Sequence, residues 1–132
     1  MKFTRQVENM STVLIVEDSL TQREMMRELL NRIGLTVILA GDGVEALELL
    51  QSQYPDVVIL DIVMPRMNGY ELCRRLKRDI KTQKIAVVML STKSEVWDFY
   101  WGNKQGADAY VSKFSHPQNL VNTVEQLLRV AA

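Results

Sequence analysis

Acidic side chains follow two apolar runs of the sequence, at the point where each run ends. Glu17 and Asp18 come directly after the run 13–16, and Asp61 comes directly after the run 57–60. Singly, such residues can simply cap a helix or open a turn. Together, converging carboxylates repel one another unless a cation lies among them, and a site made only of oxygen ligands suits Mg²⁺. The three residues therefore predict a magnesium site, provided that the two runs end at a common edge.

Polar residues also follow two other apolar runs. Ser91 and Thr92 follow the run 85–90, and Lys113 follows the weaker run 109–111. A hydroxyl and an ammonium beside a metal-bound carboxylate are the partners that the oxygens of a phosphoryl group require. The residue types therefore indicate a site that binds a phosphoryl group.

The elements that must position these residues alternate between two periodicities. Strands are predicted at 13–16, 37–39, 57–60, 85–90 and 109–111, and helices at 19–33, 43–52, 68–79, 94–105 and 117–130. The central strands are continuously apolar, which predicts an α/β fold with a doubly wound parallel sheet and helices on both faces. Such sheets bind ligands at the carboxyl ends of their strands, where the acidic residues lie.

Residues that are typical of helix ends support this division of the chain. Ser19 with Gln22 three residues later resembles a capping box, and Gly34 stands where a helix C′ residue belongs. The segment 1–10 has neither the apolar centre of a signal peptide nor a chemical motif, so we expect a polar leader followed by one domain over 11–132.

Four segments of the sequence resemble the receiver domain of two-component response regulators. They are Glu17-Asp18, DIVMPRMNG at 61–69, Ser91-Thr92 and GADAYVSK at 106–113. The resemblance extends from about Ser11 onward and implies a flavodoxin-like, five-stranded sheet with strand order 2-1-3-4-5. It also implies that Asp61 is the phosphoacceptor. By the same resemblance, Glu17, Asp18, Asp61 and the backbone carbonyl of Val63 hold Mg²⁺.

The resemblance further implies a switch. Asp61 would take a phosphoryl group from a histidine kinase, Lys113 would pair with one phosphoryl oxygen and Ser91 would hydrogen-bond another. The Tyr110 ring would then fill the space that the Ser91 hydroxyl vacates, although Tyr110 can equally be an ordinary half-buried strand aromatic. The expected output face comprises the predicted helix 94–105 and the predicted strand 109–111.

The sequence departs from the family pattern at three places. Phe114 replaces the proline that usually follows the lysine, so we predict that the Lys113–Phe114 peptide bond is trans. Gly102 interrupts the predicted helix 94–105, which weakens it. Aromatic residues, including Trp97 and Trp101, concentrate in the same segment and favour a partner surface there.

The sequence around that helix also has a narrower likeness. Trp101-Gly102 with Gln105-Gly106-Ala107 is similar to response regulators of type IV pilus twitching motility and phototaxis. Because the sequence ends at Ala132, directly after the last predicted helix, we expect output through a separate target protein. A weak homodimer through the output face is also compatible with the sequence.

Composition argues against several classes of protein. Sixteen basic and sixteen acidic residues give zero net charge, which disfavours nucleic-acid binding, and the basic run 74–84 fits a solvated helix end. One cysteine and one histidine offer no disulfide or zinc set, with Cys73 read as a buried apolar group. No apolar run approaches the ~18 residues of a membrane span. These features predict a cytoplasmic protein without membrane insertion.

Three alternative functions remain at this stage. A flavin or nucleotide binder on the same sheet lacks a glycine-rich phosphate loop after the first strand. An aspartyl-phosphate hydrolase would need a second acid two residues after Asp61, where Val63 stands. A receiver-like scaffold or phosphate sink is opposed by the complete set of site residues. The favoured reading is a single-domain signalling protein, not an enzyme of metabolism, that supports its own magnesium-dependent phosphorylation and dephosphorylation.

Overall fold

The structure, a computed structural model, describes residues 11–91 and 106–131. The described strands are β1 (Thr12–Val16), β2 (Thr36–Ala40), β3 (Val57–Asp61), β4 (Ala86–Ser91) and β5 (Ala109–Ser112). The described helices are α1 (Leu20–Arg32), α2 (Gly43–Leu49), α3 (Gly69–Arg78) and α4 (Pro117–Ala131). The expected polar leader, the predicted helix 94–105 and with it Trp97, Trp101 and Gly102 lie outside the described residues.

All five strands are parallel, in the order β2-β1-β3-β4-β5. This confirms the predicted doubly wound α/β fold and its strand order. The central strand β3 lies between β1 and β4, with Val16 of β1 opposite Leu60. Because every strand runs in the same direction, the residues that follow β1, β3 and β5 meet at one edge of the sheet.

Successive side chains of the central strands pack on opposite faces of the sheet. In β1, Leu14 and Val16 join a core that includes residues of α2 and α3, whereas Val13 and Ile15 join a core that includes residues of α1 and α4. All four are at most 1% exposed. Burial on both faces is why the run is continuously apolar, as predicted.

The helix ends agree with the sequence signals except at two places. The Ser19 hydroxyl accepts from the Gln22 N–H at 3.3 Å, as in a capping box. The prediction of the reciprocal bond, from the Ser19 N–H to the Gln22 side chain, is wrong, because the Ser19 N–H donates to Glu17 instead. Helix α2 ends at Leu49 and not at residue 52, since Gln51 and Ser52 form tighter bonds to carbonyls three residues back. Gly34 has φ 92°, as its predicted C′ position requires.

Two expectations about the backbone can be compared with the described residues. None of their peptide bonds is cis, so the Lys113–Phe114 bond is trans as predicted, and the Phe114 side chain is 80% exposed. None of the helices in the described part of the chain is long and apolar enough to cross a bilayer.

Candidate functional site

The three predicted acidic residues lie together at the carboxyl edge of the sheet. One carboxylate oxygen from each of Glu17, Asp18 and Asp61 lies within 4.8 Å of the others. Their closeness follows from the register, since Val16 and Leu60 are neighbours and the acids come immediately after them. Glu17 is 1% and Asp61 4% exposed, whereas Asp18 is open to solvent. The cluster is therefore a half-open acidic pocket with a buried floor.

Lys113 extends into this pocket from the end of β5. Its Nζ lies 2.7 Å from Glu17 Oε1 and 2.9 Å from Asp61 Oδ2, and its side chain is 15% exposed. The backbone holds it there, because the Lys113 N–H donates to the Ser91 carbonyl at 2.7 Å. One ammonium thus pairs with two buried carboxylates, which reduces their mutual repulsion.

Burial and ion pairing shift the pKa values of Glu17 and Lys113. Burial raises the pKa of Glu17 above its ordinary value, helped by the nearby charge of Asp61 and opposed by Lys113 and by the Ser19 N–H. For Lys113, burial alone would lower the pKa, but its contacts with Glu17 and Asp61 together outweigh burial and raise the pKa. The ammonium therefore stays charged at neutral pH.

The remaining predicted residues lie around the pocket. Ser91, the last residue of β4, is 3% exposed and lies in register with Ser112. The Val63 N–H donates to Asp61 Oδ1 at 3.4 Å, and the Val63 side chain is 70% exposed. Tyr110 is half-buried against the core under α2 and α3. The structure brings Ser91 and Val63 to the edge that carries Asp61.

The loop after Asp61 folds back closely on its own strand. The Gly69 N–H donates to the Ile62 carbonyl at 2.8 Å, and a Cβ at Gly69 would lie 2.3 Å from the Asp61 carbonyl oxygen. Only glycine permits that approach. Gly69 therefore keeps the start of α3 against the strand that carries Asp61.

Sequence reasoning missed two features of the site. The first is the Ser19 N–H, which donates to Glu17 Oε2 at 3.1 Å and anchors that carboxylate. The second is an ion pair between Arg66, in the loop after Asp61, and Asp42, before α2. No sequence signal marks either one, except that Asp42 stands where a helix N-cap belongs.

Comparison with known proteins decides the family. The response regulator receiver domain family matches residues 13–125. The chain belongs to this family. The receiver is 36% identical over 119 residues to protein PilH of Pseudomonas aeruginosa, covering 90% of this chain and 98% of that protein. It is also 38% identical to the probable transcriptional regulator ycf27 of Guillardia theta, but spans only 47% of that protein's length.

Solved structures share the same fold. The chemotaxis response regulator CheY4 of Vibrio cholerae has a TM-score of 0.84 and is 31% identical, covering 89% of this receiver and 98% of that chain. The signal receiver domain of a signal transduction histidine kinase from Syntrophus aciditrophicus has a TM-score of 0.85 and is 35% identical, with 90% of both chains covered. Membership makes the receiver a signalling protein and not a metabolic enzyme, as expected.

The donor atoms of this receiver fit a hard divalent cation. The clustered ligands are all carboxylate oxygens, one of the three is open to solvent, and a single ammonium pairs with two of them. Hard cations such as Mg²⁺ prefer oxygen ligands and keep several waters, which an open side allows. The cluster is of the kind that receivers use to bind a metal.

Proposed function

We propose that this receiver is a phosphorylation-controlled switch whose phosphoacceptor is Asp61. The observation that carries the proposal is the placement of the Asp61 carboxylate. It lies on the pocket floor beside two other acids, with the Lys113 ammonium 2.9 Å from Oδ2. A carboxylate nucleophile flanked by oxygen ligands and an ammonium meets the electrostatic requirements of phosphoryl transfer.

The reaction is displacement at phosphorus. An Asp61 oxygen attacks the phosphorus of a phosphohistidine, an O–P bond forms and the P–N bond breaks, leaving an acyl phosphate. Glu17, Asp18, Asp61 and the Val63 carbonyl would hold Mg²⁺, which offsets the negative charge on the transferring oxygens. Lys113 provides a second positive charge to a phosphoryl oxygen, and the Ser91 hydroxyl hydrogen-bonds another.

The surface around the pocket fits a protein phosphodonor. Leu20, Val63 and Phe114 each lie one or two residues after a residue of the site and are 67%, 70% and 80% exposed. Met25, farther along α1, is 56% exposed. Exposed apolar side chains next in sequence to the residues of a charged pocket favour docking of a folded protein there. We therefore expect a cytoplasmic histidine kinase as the donor.

Output is proposed through the face that β5 shares with the predicted helix 94–105. Tyr110 would couple Ser91 to that face, and Trp97 and Trp101 would contact a target protein. The likeness around Trp101 to regulators of type IV pilus motility, together with the identity to PilH, supports a role in pilus motility or phototaxis. Phosphorylation would act through this target protein and not through nucleic acid. A weak homodimer through the same face is a further association that this surface would allow.

Intact-protein mass spectrometry after incubation with acetyl phosphate tests the phosphoacceptor. We expect one phosphoryl addition that requires Mg²⁺ and is lost in Asp61→Asn. The matched control is Asp56→Asn, which changes an exposed aspartate at the opposite end of β3 whose acceptor role toward the Thr12 N–H an amide oxygen can fill. If neither acetyl phosphate nor a cognate kinase adds a phosphoryl group, the proposal is overturned and a scaffold role is favoured.

A further inference from the structure

The loop between β3 and α3 is tied to the sheet edge mainly at its two ends. At its start the Ile62 N–H donates to the Leu90 carbonyl at 3.1 Å, and at its end the Gly69 N–H donates to Ile62. Between them the Met67 N–H donates to the Pro65 carbonyl at 2.7 Å, and Met64 is buried in the core. The bond of the Val63 N–H among the described residues, however, is the 3.4 Å contact with Asp61 Oδ1. A contact from the loop to a different element would therefore help to hold the Val63 backbone in place.

The side chain of Arg66 anchors the middle of the loop to a residue outside the loop. Its Nε donates to Asp42 Oδ2 at 3.1 Å, and its Nη2 contacts the same oxygen. The backbone of Arg66 has φ 68°, in the left-handed region that L side chains rarely adopt. A residue held in that region indicates that its surroundings determine its conformation.

Asp42 is fixed on its own side of the contact. It is the N-cap of α2, and its Oδ1 accepts from the Glu45 N–H at 2.9 Å. The Glu45 N–H and the Arg66 guanidinium hold the pKa of Asp42 below its usual value, so the carboxylate is charged at neutral pH. Arg66 therefore binds a carboxylate whose position the helix already defines.

A second contact lies directly beside the ion pair. The Met67 side chain is 7% exposed and covers Gly43, where an added Cβ would lie 2.9 Å from the Met67 sulfur. The charged and the apolar contact thus join the same two segments. We call these two contacts, Arg66 with Asp42 and Met67 with Gly43, the loop clamp.

We propose that Arg66 is a positioning residue that holds the loop carrying Val63, and so presets the Val63 carbonyl for the metal. The proposal rests on the proposed function, because it concerns the same pocket. Fixing a ligand in advance lowers the ordering cost that metal binding otherwise incurs. The clamp thereby couples the first turn of α2, which contributes no ligand, to the metal site.

Three variants separate the clamp from the helix cap. Asp42→Asn removes the charge that Arg66 binds but leaves an amide oxygen for the Glu45 N–H. Arg66→Ala removes the guanidinium, and Arg66→Lys keeps the charge without the planar fork. The matched control is Glu71→Gln, which breaks a comparable exposed ion pair with Arg75 within α3, at 2.9 Å. Circular dichroism melting curves verify that each variant is folded.

The first readout is amide hydrogen exchange over residues 62–68, without metal or phosphodonor. We expect faster exchange in Asp42→Asn and Arg66→Ala, a smaller change in Arg66→Lys and none in Glu71→Gln. The second readout is Mg²⁺ affinity by titration calorimetry, where Asp42→Asn and Arg66→Ala should weaken binding by about fivefold, the upper range for an exposed ion pair. Unchanged exchange and unchanged affinity in both variants would overturn the proposal.

Phosphorylation rates distinguish this proposal from the proposed function. With acetyl phosphate, the Mg²⁺ concentration for half-maximal rate should rise in Asp42→Asn and Arg66→Ala, while the rate at saturating Mg²⁺ stays near that of the parent protein. A general structural defect would lower the saturating rate instead, which counts against a positioning role. If the parent protein accepts no phosphoryl group, the proposed function fails, and exchange and calorimetry still decide the role of Arg66.

Discussion

The Lys113 ammonium lies 2.9 Å from Asp61 Oδ2 although 52 residues separate the two in sequence. It also lies 2.7 Å from Glu17, so that three strands contribute to one charged contact. The ammonium therefore offsets part of the negative charge of two buried carboxylates that come from different strands.

Removing the Lys113 charge should destabilise the protein most when Mg²⁺ is absent. In Lys113→Met, Glu17 and Asp61 lose the cation that pairs with both, and we expect the free energy of unfolding to fall by about 2 kcal/mol. Saturating Mg²⁺ should restore more stability to the variant than to the parent protein, because a bound cation replaces the lost charge. Guanidinium unfolding with and without Mg²⁺ measures both quantities. Equal effects of Mg²⁺ on the two proteins would contradict the expectation.

Gly69→Ala should disrupt the loop after Asp61. The added Cβ would lie 2.3 Å from the backbone carbonyl oxygen of Asp61 and 2.8 Å from the Cα of Ile62, so β3 or α3 must shift. We expect a loss of about 1–3 kcal/mol in unfolding free energy and slower phosphorylation. The control is Gly41→Ala, whose Cβ would meet only the ends of the flexible side chains of Arg23 and Glu45. Similar losses in the two variants would show that crowding at Asp61 is not the cause.

The ion pair between Lys77 and Asp108 should contribute more to stability than an exposed helix pair. Lys77 Nζ lies 2.8 Å from Asp108 Oδ2 and also donates to the Ile85 carbonyl at 2.7 Å, with its side chain 20% exposed. A double-mutant cycle with Lys77→Met and Asp108→Asn should give a coupling energy of about 1 kcal/mol. The same cycle on Glu71 and Arg75 should give about 0.3–0.5 kcal/mol. Coupling energies in the reverse order would refute this ranking.

The buried thiol of Cys73 should make stability fall at alkaline pH. Burial raises the pKa of Cys73 from 9.0 to about 11, so above pH 9 the unfolded chain loses a proton that the folded protein keeps. The stability advantage of the parent protein over Cys73→Ala should therefore be constant below pH 9 and shrink by up to about 1.4 kcal/mol per pH unit between 9 and 11. Unfolding curves at several pH values measure the difference, and a constant difference would contradict the assignment.

The sequence by itself determined the fold and the composition of the pocket. Continuously apolar strands, such as 57–60, reported burial on both faces of a sheet, and the acids that follow them reported the functional edge. These signals are local, because each depends on the periodicity of one element or on the residue that ends it. The strand order came from the family resemblance, since periodicity alone does not state which strands are neighbours.

Only the tertiary structure decided which partners the polar groups choose. The Ser19 N–H could bond Gln22 as in a capping box, but Lys113 from the end of β5 holds one oxygen of the Glu17 carboxylate, and the other oxygen accepts the Ser19 N–H. Likewise Arg66 finds Asp42 across 24 residues, a contact that depends on how two loops approach at the sheet edge. Local sequence specifies what a side chain can bind, and the packing of distant elements determines which of those groups lies within reach.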